Sequence, residues 1–259
     1  MGQKKKKSGF LKKLCWFILI VILLGGVGVG YIFLTMPEVE PLKHENPKTT
    51  ALIEQRKNEA REEGKTLTIR QKWVSESAVP QMLKNTVLTA EDSAFYQHEG
   101  IDYYELKESI KLNIKNMQKG KKTSMRGAST ITQQLAKNLY LSTERSVFRK
   151  MKEFFIAKQL ERHLTKDRIL ALYLNVIEFG RGIFGVEAAS QYYFGKSASR
   201  LNLSEIVRLT AIIPKPLKEK PTVFSRYVKR RGRLLLVRLR GQGYISDAQY
   251  HSVYPQFRR

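Results

Sequence analysis

The longest apolar stretch of the chain runs from Leu14 to Leu34 without a charged side chain. As a helix it is long enough to cross a hydrocarbon core of roughly 30 Å. Beyond it the pattern changes to shorter amphipathic segments. Val79, Leu83, Val87 and Ala90 recur close to i, i+4, i+8, which predicts a helix with one buried face ending near Glu91. Ser77 is its expected N-cap, with Pro80 in the first turn. Residues 101, 103, 104, 106, 110, 114 and 117 outline a second helical face. Thr130 followed by Gln133 forms a capping box, so a helix starts there with Ile131, Leu135 and Leu139 turned inward. Ser146–Leu164 has the strongest helical pattern, through Phe148, Met151, Phe155, Ala157, Leu160 and Leu164. Thr165 caps the next helix, with Ile169, Leu172, Tyr173 and Val176 along one face and a glycine-rich turn over 179–185. Further helices are expected over Val186–Tyr193, Leu203–Ile212 and Thr222–Leu239, and a short one after Ser246. Only Thr66–Val74 alternates as a short strand or extended arm would. The expected fold class is all-α, mainly helical.

Charge gives this pattern a direction. Lys4–Lys7, Lys12 and Lys13 precede the apolar run, and Glu38 and Glu40 follow it. The positive-inside bias then makes 1–13 a cytoplasmic basic tail, 14–34 a transmembrane helix, and everything later extracytoplasmic. The run exceeds a typical signal-peptide core and lacks a small-x-small cleavage site, which favours an uncleaved, single-pass anchor in the cytoplasmic membrane. Residues 35–65, with three prolines and little apolar content, are expected as a linker or short exposed helix, and 66–259 as one domain. The net charge of +24 lies mostly in that exported part. Such a surface suits an anionic partner, and the topology favours lipid head groups or a lipid diphosphate over nucleic acid. The single cysteine, Cys15, excludes a disulfide framework and a cysteine metal site.

The candidate chemistry gathers in three places. Glu91-Asp92-Ser93-Ala94-Phe95-Tyr96-Gln97-His98-Glu99-Gly100 packs three carboxylates, a histidine and a turn glycine into one short stretch. Glu91 sits at a helix C-terminus, where the dipole favours the protonated acid and suits a general base. A solvated helix end would explain the same residues. Gln133, Gln134 and Lys137 share a face near a helix start, a ready anion site, although capping and surface amides account for them singly. Glu153 lies among Arg145, Arg149 and Lys152, either as a salt-bridged cluster or as a second carboxylate held ionised by its neighbours. The basic loop 119–127 reads equally as a solvated charge run and as a flap over an anionic ligand.

Taken in order, these pieces resemble a known family. Glu91-Asp92-x-x-Phe95-x-x-His98-x-Gly100, then Gly127–Gln134 with Lys137-Asn138, then Arg149-Lys150-x-x-Glu153, are similar to the first three motifs of the family-51 peptidoglycan glycosyltransferases. Tyr173–Lys196 looks like the fourth motif, and Leu209–Pro216, less closely, the fifth. The resemblance covers about residues 75–220. With no transpeptidase domain in the sequence, it is to the monofunctional form.

The resemblance implies a lysozyme-like, two-lobed domain with a membrane-associated jaw near 101–127. It implies polymerisation of lipid II into β-1,4-linked glycan, with loss of undecaprenyl diphosphate. Glu91 would be the base, with Asp92 supporting it, and Glu153 would assist the leaving side. Lys137, Arg145 and Arg149 would meet the diphosphate, beside Lys152. Ser129, Gln133 and Gln134 would orient the donor, near Thr130 and Asn138, and His98 would order the first motif. A divalent Mg or Mn ion at the diphosphate is an expectation, as are other cell-wall synthases as partners; no organic cofactor is implied. A lytic transglycosylase or muramidase would share the lone Glu without needing the cations. A tethered scaffold would need neither.

Overall fold

The computed structural model describes residues 3–120, 127–144 and 146–258. The chain divides into two units, Met1–Glu38 and Val39–Arg259. The first is a single helix, α1 (Gln3–Leu34). Within it Trp16–Leu34 is long and apolar enough to cross a membrane, with mean hydropathy 2.7.

The second unit is mainly helical. In chain order it carries α2 (Ala51–Glu62), β1 (Arg70–Gln71), α3 (Gln81–Glu91), α4 (Tyr103–Gln118), α5 (Ile131–Tyr140), α6 (Val147–His163) and α7 (Lys166–Val176). Then follow β2 (Glu178–Gly180), β3 (Ile183–Phe184), α8 (Val186–Phe194), α9 (Leu203–Ala211), α10 (Arg226–Gly241) and α11 (Asp247–Val253). The strands form one small sheet in the order β1-β3-β2, parallel between β1 and β3 and antiparallel between β3 and β2.

Helix α5 is the centre of the unit, packed on α2, α6 and α7. Its Ile131, Leu135 and Ala136 are fully buried, and each large apolar side chain so buried stabilises by about 1.5–3 kcal/mol. The capping box is formed as the sequence predicts: Thr130 Oγ1 accepts from the Gln133 N–H, and Gln133 Oε1 accepts from the Thr130 N–H. Thr130 Oγ1 also donates to the Gly100 carbonyl at 2.7 Å. Gly100 has φ +83°, and a Cβ there would lie 3.0 Å from Glu161 Cγ. That glycine lets the end of the first motif lie against α6 and reach the start of α5.

Several sequence expectations need correction. Residues 35–65 are not a linker throughout, because α2 is capped by Thr50 and buries Leu52, Ile53 and Ala60. Leu52 and Ile53 pack with Phe184, and Arg56 pairs in two-pronged fashion with the buried Glu178 at 2.8 Å. A few well-spaced apolar residues and one ion pair fix α2 despite its polar composition. Helix α3 begins at Gln81 with Pro80 at the N-cap, whereas Ser77 belongs to a separate 3-10 turn, Glu76–Ala78. Proline disfavours helical backbone in the residue before it, which prevents the earlier start. Helix α4 forms with Asp102 as its cap, yet Tyr104, Ile110, Ile114 and Met117 on its apolar face are exposed. On α6, Phe148 and Met151 are exposed too, and the buried side is Glu153, Ile156, Ala157 and Leu160.

Candidate active site

Glu91 is the last residue of α3. The chain leaves the helix at Asp92 (φ −163°, ψ 80°), so adjacent carboxylates point to different neighbours. Asp92 turns inward. Its Oδ2 accepts from the Ile131 N–H at 2.9 Å, at the positive end of α5, and Oδ1 meets His98 Nε2 at 3.0 Å. Asp92 thus ties the end of α3 to the start of α5 through an interior carboxylate. Asp92→Asn is expected to lower stability by about 2–3 kcal/mol, because the amide leaves a buried donor facing the Ile131 N–H. A denaturant midpoint measurement checks this.

Glu91 takes another environment. Its Oε2 accepts from Gln134 Nε2 at 3.1 Å and its Oε1 from Arg231 Nη2 at 3.2 Å. Tyr173, fully buried on α7, donates its hydroxyl to Gln134 Oε1 at 3.0 Å and so fixes which way the amide faces. Burial raises the Tyr173 pKa well above its usual value, as do Glu91 and Asp92, which keeps the hydroxyl a donor. Burial likewise raises the Glu91 pKa, against the opposing pull of Arg231, Gln134 and Lys137. A carboxylate with a raised pKa is a stronger base once it is ionised. The acid limb of the pH–rate profile is therefore expected above the ordinary carboxylate range. Arg231→Gln removes the largest opposing influence and should move that limb to still higher pH. The pH dependence of kcat/KM in both forms reads the shift.

A second carboxylate stands on α6. Glu153 is almost fully buried, accepts from Arg149 Nη1 at 2.6 Å and is paired with Lys150. Lys150 also donates to Ser129 Oγ at 3.0 Å, linking α6 to the segment before α5. Lys137 differs from both partners of Glu153. It makes no ion pair among the described residues, yet it lies within electrostatic reach of Glu153 and Glu91. Burial lowers its pKa, with Arg149 and Lys150 adding to that effect. A largely buried ammonium without a bound partner is poised to meet an incoming anion.

The structure sorts the residues singled out by sequence. It gathers Glu91, Gln134 and Lys137, and it joins Ser129, Arg149 and Glu153 through Lys150. Ser129, Thr130, Glu91 and Asp92 border a cavity of about 390 Å³, which Arg238 of α10 and its C-cap Gln242 also line. Thr130 and Gln133 close the cap of α5, and Asn138 is buried on the same helix. His98 stands behind Asp92, edge-on to Phe95. Arg145 lies outside the described residues. Lys152 is half-buried, but the lysine paired to Glu153 is Lys150, because i,i+3 neighbours share a helix side and adjacent residues do not. Sequence reasoning gave no role to Arg231, Lys150 or the Tyr173 hydroxyl. For Lys150 the spacing to Glu153 was the available signal. For Arg231 there was none, since α10 is crowded with cations.

The donor set does not fit a divalent ion held by protein ligands. No cluster of three or more His, Cys, Asp or Glu side chains that could bind a metal is found among the described residues. Glu153 already has a cation on each oxygen.

Residues 58–240 match the family model described as Transglycosylase. A biosynthetic peptidoglycan transglycosylase of Herminiimonas arsenicoxydans is 39% identical over 228 residues, which is 88% of this chain and 95% of the relative. Proteins of the same description from Bordetella avium (38% over 197 residues, 76% and 82%) and Methylobacillus flagellatus (36% over 230 residues, 89% and 97%) are similar as well. Penicillin-binding protein 1A from Haemophilus influenzae aligns at TM-score 0.41 and 22% identity, over 73% of this chain and 18% of the solved one. With most of its length matched by the family model and by relatives more than a third identical, the chain belongs to the transglycosylase family.

Proposed function

We propose that this chain polymerises lipid II into β-1,4-linked glycan strands, releasing undecaprenyl diphosphate. The observation that carries the reading is the contrast between its two carboxylates. Glu91 is buried and proton-hungry beside an open cavity. Glu153 is tied up by cations, close to a lysine that makes no ion pair among the described residues.

Glu91 takes the proton from the 4-hydroxyl of the incoming N-acetylglucosamine as that oxygen bonds to the anomeric carbon of the growing chain. The bond from that carbon to the diphosphate oxygen breaks on the opposite face, inverting α to β. The departing diphosphate needs positive charge more than a proton. Lys137, Arg149 and Lys150 supply it from fixed positions, where preorganised charge is most effective. Glu153 holds Arg149 and Lys150 in place, and Gln134 orients the Glu91 carboxylate. Ser129, held by Lys150, faces the donor side. No resident metal has a part in this scheme.

The substrate's polyprenyl tail stays in the bilayer, so the active site belongs at the outer face of the cytoplasmic membrane. Helix α1 serves as a single-pass anchor with a cytoplasmic N-terminus. The exposed apolar side of α4 rests in the interface, where such a face is stable. Other cell-wall synthases are proposed as neighbours there.

The test is incubation of labelled lipid II with the detergent-solubilised full chain, with divalent ions present or chelated. Long, muramidase-sensitive polymer at rates within about threefold in both arms is the expected result, given the protein-supplied charge. Soluble fragments from finished cell wall, with no polymer from lipid II, would overturn the reading in favour of a lytic enzyme.

A further inference from the structure

Helix α10 carries two separate sets of cations. Arg231 and Arg238, at i and i+7, share the side that meets Glu91 and its cavity, with the C-cap Gln242 beyond them. Arg226, Lys229, Arg230 and Arg233 lie about half a turn away around the same helix. With Phe224 they line a distinct cavity of about 650 Å³. Between the two sides runs the buried seam of Val228, Gly232, Leu235, Leu236 and Leu239. The second set therefore cannot serve the reaction at Glu91.

This cluster has no carboxylate partner among the described residues. Among the described residues Arg226, Lys229 and Arg230 make no ion pair, and Arg233 donates to the Phe257 carbonyl at 3.1 Å. No carboxylate lines the cavity among the described residues. The nearby Glu219 accepts from the Ser225 hydroxyl at 2.6 Å. Like charges at i, i+3, i+4 and i+7 repel one another. The first turn of a helix is also where cations are least favoured. Local preferences that conflict in this way point to a role beyond folding. Exposed apolar side chains border the same cations: Val223 just before the helix, and Leu234 and Val237 on it. Cations with apolar neighbours around a cavity match an anionic amphiphile better than a fully soluble ion.

We propose that this cavity binds the phosphodiester head group of an anionic glycerophospholipid. Arg226, Arg230 and Arg233 grip the phosphate, and Phe224, Val223 and Leu234 lie along the glycerol and upper acyl chain. Arginine's fork suits the phosphate oxygens. The inference is independent of the proposed polymerase activity.

The full chain, carrying Cys15→Ser and Val223→Cys labelled with an environment-sensitive fluorophore, is placed in nanodiscs of phosphatidylcholine with increasing phosphatidylglycerol. The expected result is a saturable blue shift. In Arg226→Gln/Arg230→Gln/Arg233→Gln it should require at least about tenfold more phosphatidylglycerol. The control variant Lys48→Gln/Arg61→Gln/Lys65→Gln, equal in charge loss, should titrate like the parent. Polymerisation of lipid II in uncharged detergent should be the same in all forms. Equal weakening in the control would overturn the site in favour of diffuse attraction by the whole basic protein. An equal shift on adding free glycerol phosphate to pure phosphatidylcholine discs would overturn the lipid as the source of the phosphate. No shift in any disc would overturn both.

Discussion

Glu91→Gln is expected to lower the rate of lipid II polymerisation by about 10²–10⁴-fold, the usual contribution of a positioned general base. The amide keeps the shape of the carboxyl and its place at the end of α3. Gln134 and Arg231 would still face it, though neither would meet a negative charge. What disappears is the proton acceptor. The variant should also be the more stable protein at neutral pH. Burial raises the folded-state pKa of Glu91, so the folded protein holds that proton more tightly than the unfolded chain. Its contribution to stability is full below the ordinary carboxylate range and is lost as pH rises through the raised value. Above the ordinary carboxylate range the wild type carries a growing penalty for burying that carboxylate, and Gln carries none of it. Thermal melts across that window should show the gap between variant and wild type widening with pH, then levelling. An inactive variant with a lowered Tm would instead make Glu91 a structural residue. Such a trade of stability against activity is the signature expected of a catalytic group.

The same residue shows what could be read along the chain. Its place at a helix end followed from the spacing of Val79, Leu83 and Val87, all of them buried. The start of α5 followed from Thr130 and Gln133, because a capping box is a local device whose partners lie three residues apart. Contacts across long separations were beyond reach. Arg231 is 140 residues from Glu91, and nothing in the local pattern of α10 distinguishes it from its arginine neighbours. Helix α2 looked like a spacer because its composition is polar, and its order depends on Arg56 finding Glu178, 122 positions away. Tyr173 was legible as one more member of an apolar face, but a hydroxyl's direction depends on where Gln134 lies. Helix α4 marks a different limit. Periodicity reported an apolar face correctly and could not say whether protein would cover it, and Ile110, Ile114 and Met117 remain exposed.

Lys137→Met should separate charge for catalysis from charge for stability. The lysine is largely buried, and among the described residues no carboxylate pairs with it. Burial depresses its pKa, so the unfolded chain holds the proton more tightly than the folded protein does. The linkage then runs opposite to that of a paired lysine. The penalty is fully present below the depressed value, and stability is regained as pH rises from that value toward the ordinary lysine range. Methionine fills similar volume without a charge, so Tm at neutral pH should stay level or rise. Polymerisation should nevertheless fall by about 10²–10³-fold, as when one preorganised partner of a developing anion is removed. The loss should lie in kcat more than in KM if Lys137 meets the diphosphate as its charge grows. Lys150 offers the contrast, since it is engaged by Glu153 and Ser129. Removing it should slow the reaction and lower Tm together, because a buried carboxylate is left with half its compensation. If Lys137→Met instead melts earlier and keeps its rate, the lysine is holding the fold. The diphosphate would then have to be met by Arg149 and Lys150 alone.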